Sequence, residues 1–159
     1  MLTLHPYLPS DAELVLSWCR EQKEFYLWSA GVLGEYPLAA ENLHFPIDAK
    51  AFLLHDETGA AGFFILRKTE EKEYRIGFVI IDPKKRGLGY GKVMMRLAAE
   101  YAFEKGAKAV SLAVFENNER AMRCYESAGF LQVDGRESYV VLGEKWYCRR
   151  MRLKKEDEQ

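Results

Sequence analysis

The stretch IDPKKRGLGYGKVMMRLAAEYAFEKG, residues 81–106, sets three glycines in five positions, Gly87, Gly89 and Gly91, directly before a helical pattern. Upstream, Ile76 to Ile81 is apolar at nearly every position, as in a strand covered on both faces, and it ends at Asp82-Pro83. Downstream, Val93, Leu97 and Tyr101 fall on one helical stripe with Met94, Ala98 and Ala102 beside it. Lys92, Arg96, Glu100 and Glu104 line the other side, and Gly106 is a natural stop. Glycines between a strand and a helix let the backbone bend tightly, and the N–H groups of the helix start then favour a phosphate or pyrophosphate. Lys84, Lys85 and Arg86 add positive charge that could reach such a group.

Two common phosphate loops do not fit. A nucleoside-triphosphate loop needs Gly-Lys followed by Ser or Thr, and here Val93 follows Gly91-Lys92. A dinucleotide fingerprint would need its last glycine where Lys92 or Met94 stands. On glycine content alone, a plain helix-entry loop with a solvated basic run fits as well.

Working outward, LTLHPYL carries a first strand, and Ser10 with Glu13 forms a capping box for a helix running to about Arg20. Residues 24–46 are aromatic and punctuated by Gly and Pro, which suggests short helices and a loop around an opening. AFLLHDETGAAGFFILRK reads as two strands joined by a turn at Gly59, followed by the strand EYRIGFVIID. After the glycine-loop helix come the strand AVSLAVF, a short helix NNERAMRCYESAG, and closing strands in FLQV and EKWYCRRMRL. A single domain is expected over 1–153, with 154–159 a charged, frayed tail.

At 159 residues, with 48% hydrophobic and 30% charged residues, the chain reads as one soluble mixed α/β domain with its own core. The net charge of -1 gives no overall field to gather nucleic acid. Cys19, Cys124 and Cys148 lack metal-ligand spacing, and His5, His44 and His55 are scattered, so no metal is expected. Without an apolar leader or span, the expected location is the cytoplasm, with no membrane partner.

A second segment, NERAMRCYESAGF, carries Asn118, Ala121, Tyr125, Gly129 and Phe130. Together with Arg86-x-x-Gly89-x-Gly91, this order resembles the GNAT superfamily of N-acetyltransferases, closely over Gly77 to Phe130. The resemblance implies a mixed, mostly antiparallel twisted sheet of about six to seven strands with about four helices, its central strands splayed. It implies acetyl-CoA as co-substrate, bound through Ile80, Ile81, Arg86, Gly87, Leu88, Gly89, Tyr90, Gly91, Lys92 and Asn118. The thioester would lie near Ile80 and Ile81, with backbone N–H groups stabilising the developing oxyanion. Tyr125 is implied as the catalytic acid for the departing thiolate; with a phenol near about 10 and a thiol near about 8.5, it would act by position and a hydrogen bond. Core aromatic for Tyr125 and plain N-cap for Asn118 are the plainer alternatives. The implied acceptor is a primary amine of a small molecule or a peptide, and a homodimer is allowed.

The departure lies in the base. Many members have Glu on the central strand where Arg75 stands, and a guanidinium cannot take the amine's proton. Glu73, Glu35, Glu41 or a water chain must serve instead. Arg75 itself could pair with an acidic acceptor or with Glu73, the pair with Glu73 being the plainer reading. Phe25, Tyr26, Trp28, Tyr36 and Phe45 would form a partly aromatic acceptor wall or simply pack the core. This segment looks similar to members related to acetylases of protein N-termini. An acyl-CoA-binding sensor without turnover is the alternative on the same fold, and an RNA-associated module has only Lys84 to Arg86 and Arg149 to Arg152 in its favour.

Overall fold

The apolar run becomes β4, Glu73–Ile81, at the middle of a seven-stranded sheet. The computed structural model describes residues 1–70 and 72–156. Its other strands are β1 (Thr3–Pro6), β2 (Lys50–Asp56), β3 (Gly59–Glu70), β5 (Ala109–Phe115), β6 (Leu131–Val141) and β7 (Glu144–Lys154). The helices are α1 (Ala12–Ser17), α2 (Gln22–Ser29), α3 (Tyr90–Glu104) and α4 (Glu119–Ser127). Strand order is β1-β2-β3-β4-β5-β7-β6, and every neighbouring pair is antiparallel except β4 with β5. The mixed, mostly antiparallel sheet with four helices matches the expected fold class.

Strand alternation divides the core between two faces. Phe64, Leu66, Ile76, Val110, Leu112 and Met151 pack against Met94, Met95, Ala98 and Ala102 of α3, with Tyr125 of α4 and Ala128 just after it. On the opposite face, Leu53, Phe63, Ile65 and Ile80 pack against Val15, Phe25 and Trp28 from α1 and α2. Full burial of each large apolar side chain contributes about 1.5–3 kcal/mol. A bulge interrupts β4: Ile65 opposes Gly77 and Phe63 opposes Ile80, so Phe64 faces both Phe78 and Val79. Phe78 takes a positive φ of 49°, and the slip turns Phe78 toward α2 and Val79 back toward α3.

Several local expectations change. The capping box at Ser10 does not form, because Pro9–Asp11 makes a tight 3-10 turn in which the Asp11 carboxylate accepts from Leu8 N–H at 2.8 Å. The first helix stops at Ser17, and α2 starts separately at Gln22. On α3, Val93 is exposed, and Met95 and Ala99 take its expected place in the core. The last hairpin is longer than FLQV suggests, since β6 extends to Val141 with almost every residue exposed. β7 runs through Lys154, and Lys155 N–H donates to Lys108 O at 2.8 Å; tail residues 157–159 lie outside the described residues. Among the described residues, no helix is long and apolar enough to cross a membrane.

Candidate active site

The glycines of the loop do different jobs. Gly87 and Gly89 each hold φ near +80°, which L side chains rarely adopt, and open space lies where their Cβ atoms would be. Gly89 is the left-handed N-cap of α3, and no side chain caps the helix, so its first amides stay free at the positive end of the helix dipole. Gly91 is a close-approach residue: an added Cβ would sit 2.8 Å from Cys124 Sγ on α4.

These amides open onto a groove of about 710 Å³. Its walls come from the loop, from the end of β4 and from α4, with Leu27 and Trp28 of α2 closing one side. The structure brings together ten of the expected site residues here: Ile80, Ile81, Arg86, Gly87, Gly89, Tyr90, Gly91, Lys92, Asn118 and Tyr125. Leu88 does not join them; the residue is 62% exposed. The groove lies at the C-terminal end of β4, past the point where β4 and β5 part, for the two strands pair only at Glu73–Ala109, Tyr74–Val110 and Arg75–Ser111. Beyond Arg75 the backbone groups of β4 that would have faced β5 stand free of it.

The basic run before the loop is largely committed elsewhere. Lys85 Nζ donates to Asp56 Oδ1 at 3.0 Å and to Thr58 Oγ1 at 2.7 Å. Tyr90 donates its hydroxyl to Asp56 Oδ2 at 3.0 Å, so one carboxylate grips the chain on both sides of Arg86–Gly89. The Thr58 hydroxyl and the Lys85 ammonium hold Asp56 well below the usual carboxylate range. Arg86 reaches across the groove to Glu24 Oε2 at 3.3 Å, and Arg20 meets Glu24 Oε1 at 3.1 Å. Asp56 and Glu24 went unnoticed in the sequence because they lie 29 residues from Lys85 and 62 from Arg86.

On α4, Asn118 Oδ1 accepts from Ala121 N–H at 3.3 Å. Asn118 is therefore the N-cap, and its side-chain amide still has donors to offer. Tyr125 lines the groove yet is only 7% exposed, and burial, with Cys124 beside it, pushes its phenol well above the ordinary value. The Arg136 and Arg149 guanidinium groups hold Glu116, just ahead of Asn117, down at about 2, tying this end of β5 to the β6–β7 hairpin.

The expected acids fare differently. Glu73 pairs with Arg152 at 2.7 Å, not with Arg75, because β7 lies next to β5 and brings Arg152 over Ser111. Glu35 and Glu41 are exposed, and Glu41 lines a separate cavity of about 400 Å³ with Tyr7 and Phe45. Of the aromatic segment, Phe25 and Trp28 are buried while Tyr26, Tyr36 and Phe45 pack around them, so it is chiefly core. Trp28 also lines the groove, and its Nε1 donates to Phe78 O at 2.7 Å, fastening α2 to the β4 bulge. Among the described residues, no cluster of His, Cys, Asp and Glu could hold a metal ion.

A family model for the acetyltransferase (GNAT) family matches residues 12–130. The chain belongs to the GNAT acetyltransferase family. It is 33% identical over 82 residues to a mycothiol acetyltransferase of Thermomonospora curvata, covering 52% of this chain and 28% of that protein. It is 33% identical over 93 residues to the N-alpha-acetyltransferase RimI of Mycobacterium tuberculosis, covering 58% and 57%. The chain thus spans 28% to 57% of the length of these curated relatives. Among solved structures, a spermidine N-acetyltransferase from Vibrio cholerae in complex with CoA and spermine superposes with a TM-score of 0.80 at 19% identity, covering 96% and 95% of the two chains. The aminoglycoside acetyltransferase AAC(6')-Ib in complex with coenzyme A gives 0.74 at 16% identity, covering 97% and 95%. At these identities the superpositions show a shared fold.

Proposed function

We propose that this chain is an acetyl-CoA-dependent N-acetyltransferase, acting on a primary amine of a small molecule or peptide by direct attack in a ternary complex. The observation that carries the reading is the uncapped start of α3, where Gly87 and Gly89 hold left-handed conformations above a groove that ends at Tyr125 beside the parted strands. Free amides and the helix dipole suit a pyrophosphate, and the open space at both glycines leaves room for it. The solved neighbours described with coenzyme A share this fold.

Bound there, acetyl-CoA would supply an activated acetyl thioester. Amides Gly87 to Lys92 hold the diphosphate end, and the Asn118 side-chain amide offers a donor along the groove. Ile80 and Ile81 flank the reacting end, where free N–H groups of β4 would stabilise negative charge on the carbonyl oxygen. Tyr125, kept protonated by burial, donates toward the departing sulfur. Glu24 is held by two arginines, and the other groove carboxylates, Glu21 and Glu119, are exposed. On this reading, water is the base assigned to the amine.

Thermal unfolding with excess acetyl-CoA, beside ATP and NADH, tests the reading. Acetyl-CoA at a hundred times its Kd should add about 2.7 kcal/mol of stability, while the other two add nothing. Release of coenzyme A should then appear with an amine acceptor; stabilisation by ATP or NADH instead would defeat the proposal.

A further inference from the structure

Arg75 occupies the last β4–β5 rung before the strands separate, opposite Ser111. Tyr74 and Ile76 pack beneath α3 and α4, so Glu73 and Arg75 project to the face carrying α1 and α2. By the same alternation Ser111 and Ala113 of β5, and Cys148, Arg150 and Arg152 of β7, share that face. Ala113 is exposed although β5 is an inner strand. The cover on this face is therefore incomplete at Ala113, past the line where β4 and β5 part, while Ser111 and Cys148 are buried.

The charges on this face are unevenly matched. Arg152 is taken by Glu73 at 2.7 Å, and Arg67, which faces Arg75 from β3, is taken by Asp48 at 3.3 Å. Among the described residues neither Arg75 nor Arg150 has a carboxylate within 4.0 Å. Arg150 lies flat along β6, its Cδ 2.8 Å from where a Cβ of Gly135 would be. Besides Glu73, which Arg152 holds, the acid nearest on this face in strand register is Glu137, opposite Cys148, and it accepts from the Tyr139 hydroxyl at 3.1 Å. The Arg75 charge opposes the rise that burial imposes on both Tyr139 and Cys148. A half-buried guanidinium without a counter-ion calls for an anion.

Resting on the acetyltransferase reading above, we propose that Arg75, with Arg150 at the rim, selects an acceptor that carries a carboxylate as well as its amine. A strand rise of about 3.3 Å per residue puts the Phe78 bulge roughly 10 Å along β4 from Arg75. An acceptor of amino-acid to dipeptide size bridges that gap to the seam. The guanidinium also disfavours an ammonium nearby, so the amine is delivered more readily in its neutral, nucleophilic form. Polyamines, which the spermidine acetyltransferase of the same fold is named for, meet repulsion here instead of attraction.

The test is kcat/KM for pairs of acceptors that differ only in a carboxylate: β-alanine and its amide, γ-aminobutyrate and its amide, glycylglycine with a free or amidated C-terminus, and spermidine as a polycation. The acid of at least one pair should be favoured by about tenfold or more, the size of a charge-assisted hydrogen bond. Arg75→Gln should collapse that ratio toward one, with Arg75→Lys retaining part and Arg150→Gln losing less. Equal use of acid and amide by the wild type, preference for spermidine, or an undiminished ratio in Arg75→Gln overturns the inference. The wild-type comparison decides even where a variant fails to fold. Stabilisation by acetyl-CoA without turnover of any carboxylate acceptor also overturns this inference alone. Absence of that stabilisation overturns the enzyme reading on which it rests.

Discussion

Gly91 and Cys124 set how closely α3 and α4 approach, for a Cβ on Gly91 would lie 2.8 Å from Cys124 Sγ. Gly91→Ala should therefore destabilise the protein by about 1–3 kcal/mol through overpacking. In a Cys124→Ala background that loss should shrink by roughly 0.5 kcal/mol or more, the coupling expected of touching residues. Urea unfolding of the four proteins measures both, and an equal loss in the two backgrounds would place the strain elsewhere.

Gly89 tests the loop without touching the core. Ala at this left-handed cap should cost about 1–2 kcal/mol of stability and weaken acetyl-CoA binding. Asp adds a negative charge where the pyrophosphate would lie, and should abolish the thermal shift with acetyl-CoA. A Gly89→Asp protein that folds and still responds fully would show that this helix start does not hold the co-substrate.

Tyr125→Phe removes one hydroxyl from a ring that also packs in the core. Acetyl-CoA stabilisation should persist while kcat falls by roughly 100-fold, the lower end of the range for a proton donor. Because burial raises this phenol above its ordinary value, its ionisation should not reduce kcat near neutral pH. Unchanged turnover would move the acid to another group.

Much of this architecture was readable because its signals are local. The apolar run of β4, the turn at Gly59 and the glycines opening α3 each lie within a few residues, and they placed the sheet and the groove. β6 was read too short because its exposed DGRESY portion has no buried face to impose a period of two. The Phe78 bulge is marked in EYRIGFVII only by the neighbouring Gly77, because a non-glycine residue adopts the positive φ itself. The partners of Lys85, Arg86 and Glu73 are set by which strands and helices become neighbours, so tertiary packing alone assigns them.

Asp56 should matter to co-substrate binding although it does not line the groove. Asp56→Asn removes the charge that holds Lys85 and Tyr90, the residues flanking Arg86–Gly89. KM for acetyl-CoA should rise several-fold, with a smaller change in kcat at saturation. Steady-state kinetics with acetyl-CoA varied would read this split, and an equal fall in kcat would count against a positioning role.

The buried thiols predict an alkaline limb of stability. Burial, with Glu24 nearby, raises Cys19 from 9.0 to about 12, and burial with Glu137 raises Cys148 from 9.0 to about 11. Above pH 9.0 the unfolded chain releases protons that the folded protein keeps. This contribution is therefore complete below that pH and is lost as pH rises toward those values. Urea midpoints should fall between about pH 8 and pH 10, and Cys19→Ala should flatten the slope.

The three-rung contact between β4 and β5 makes the sheet two panels, β1-β2-β3-β4 and β5-β7-β6, joined by a short hinge at Glu73–Arg75. Helices α3 and α4 span the panels from one side, and α2 spans them from the other, Trp28 clasping the β4 bulge while Tyr26, Leu27 and Ala30 pack on Phe115, Trp146 and Cys148. Flexing along that line breaks fewer backbone hydrogen bonds than flexing between any fully paired strands. The core that bridges the panels holds the opening in place, and a molecule lodged between the free edges of β4 and β5 would stiffen the whole sheet by replacing its missing rungs.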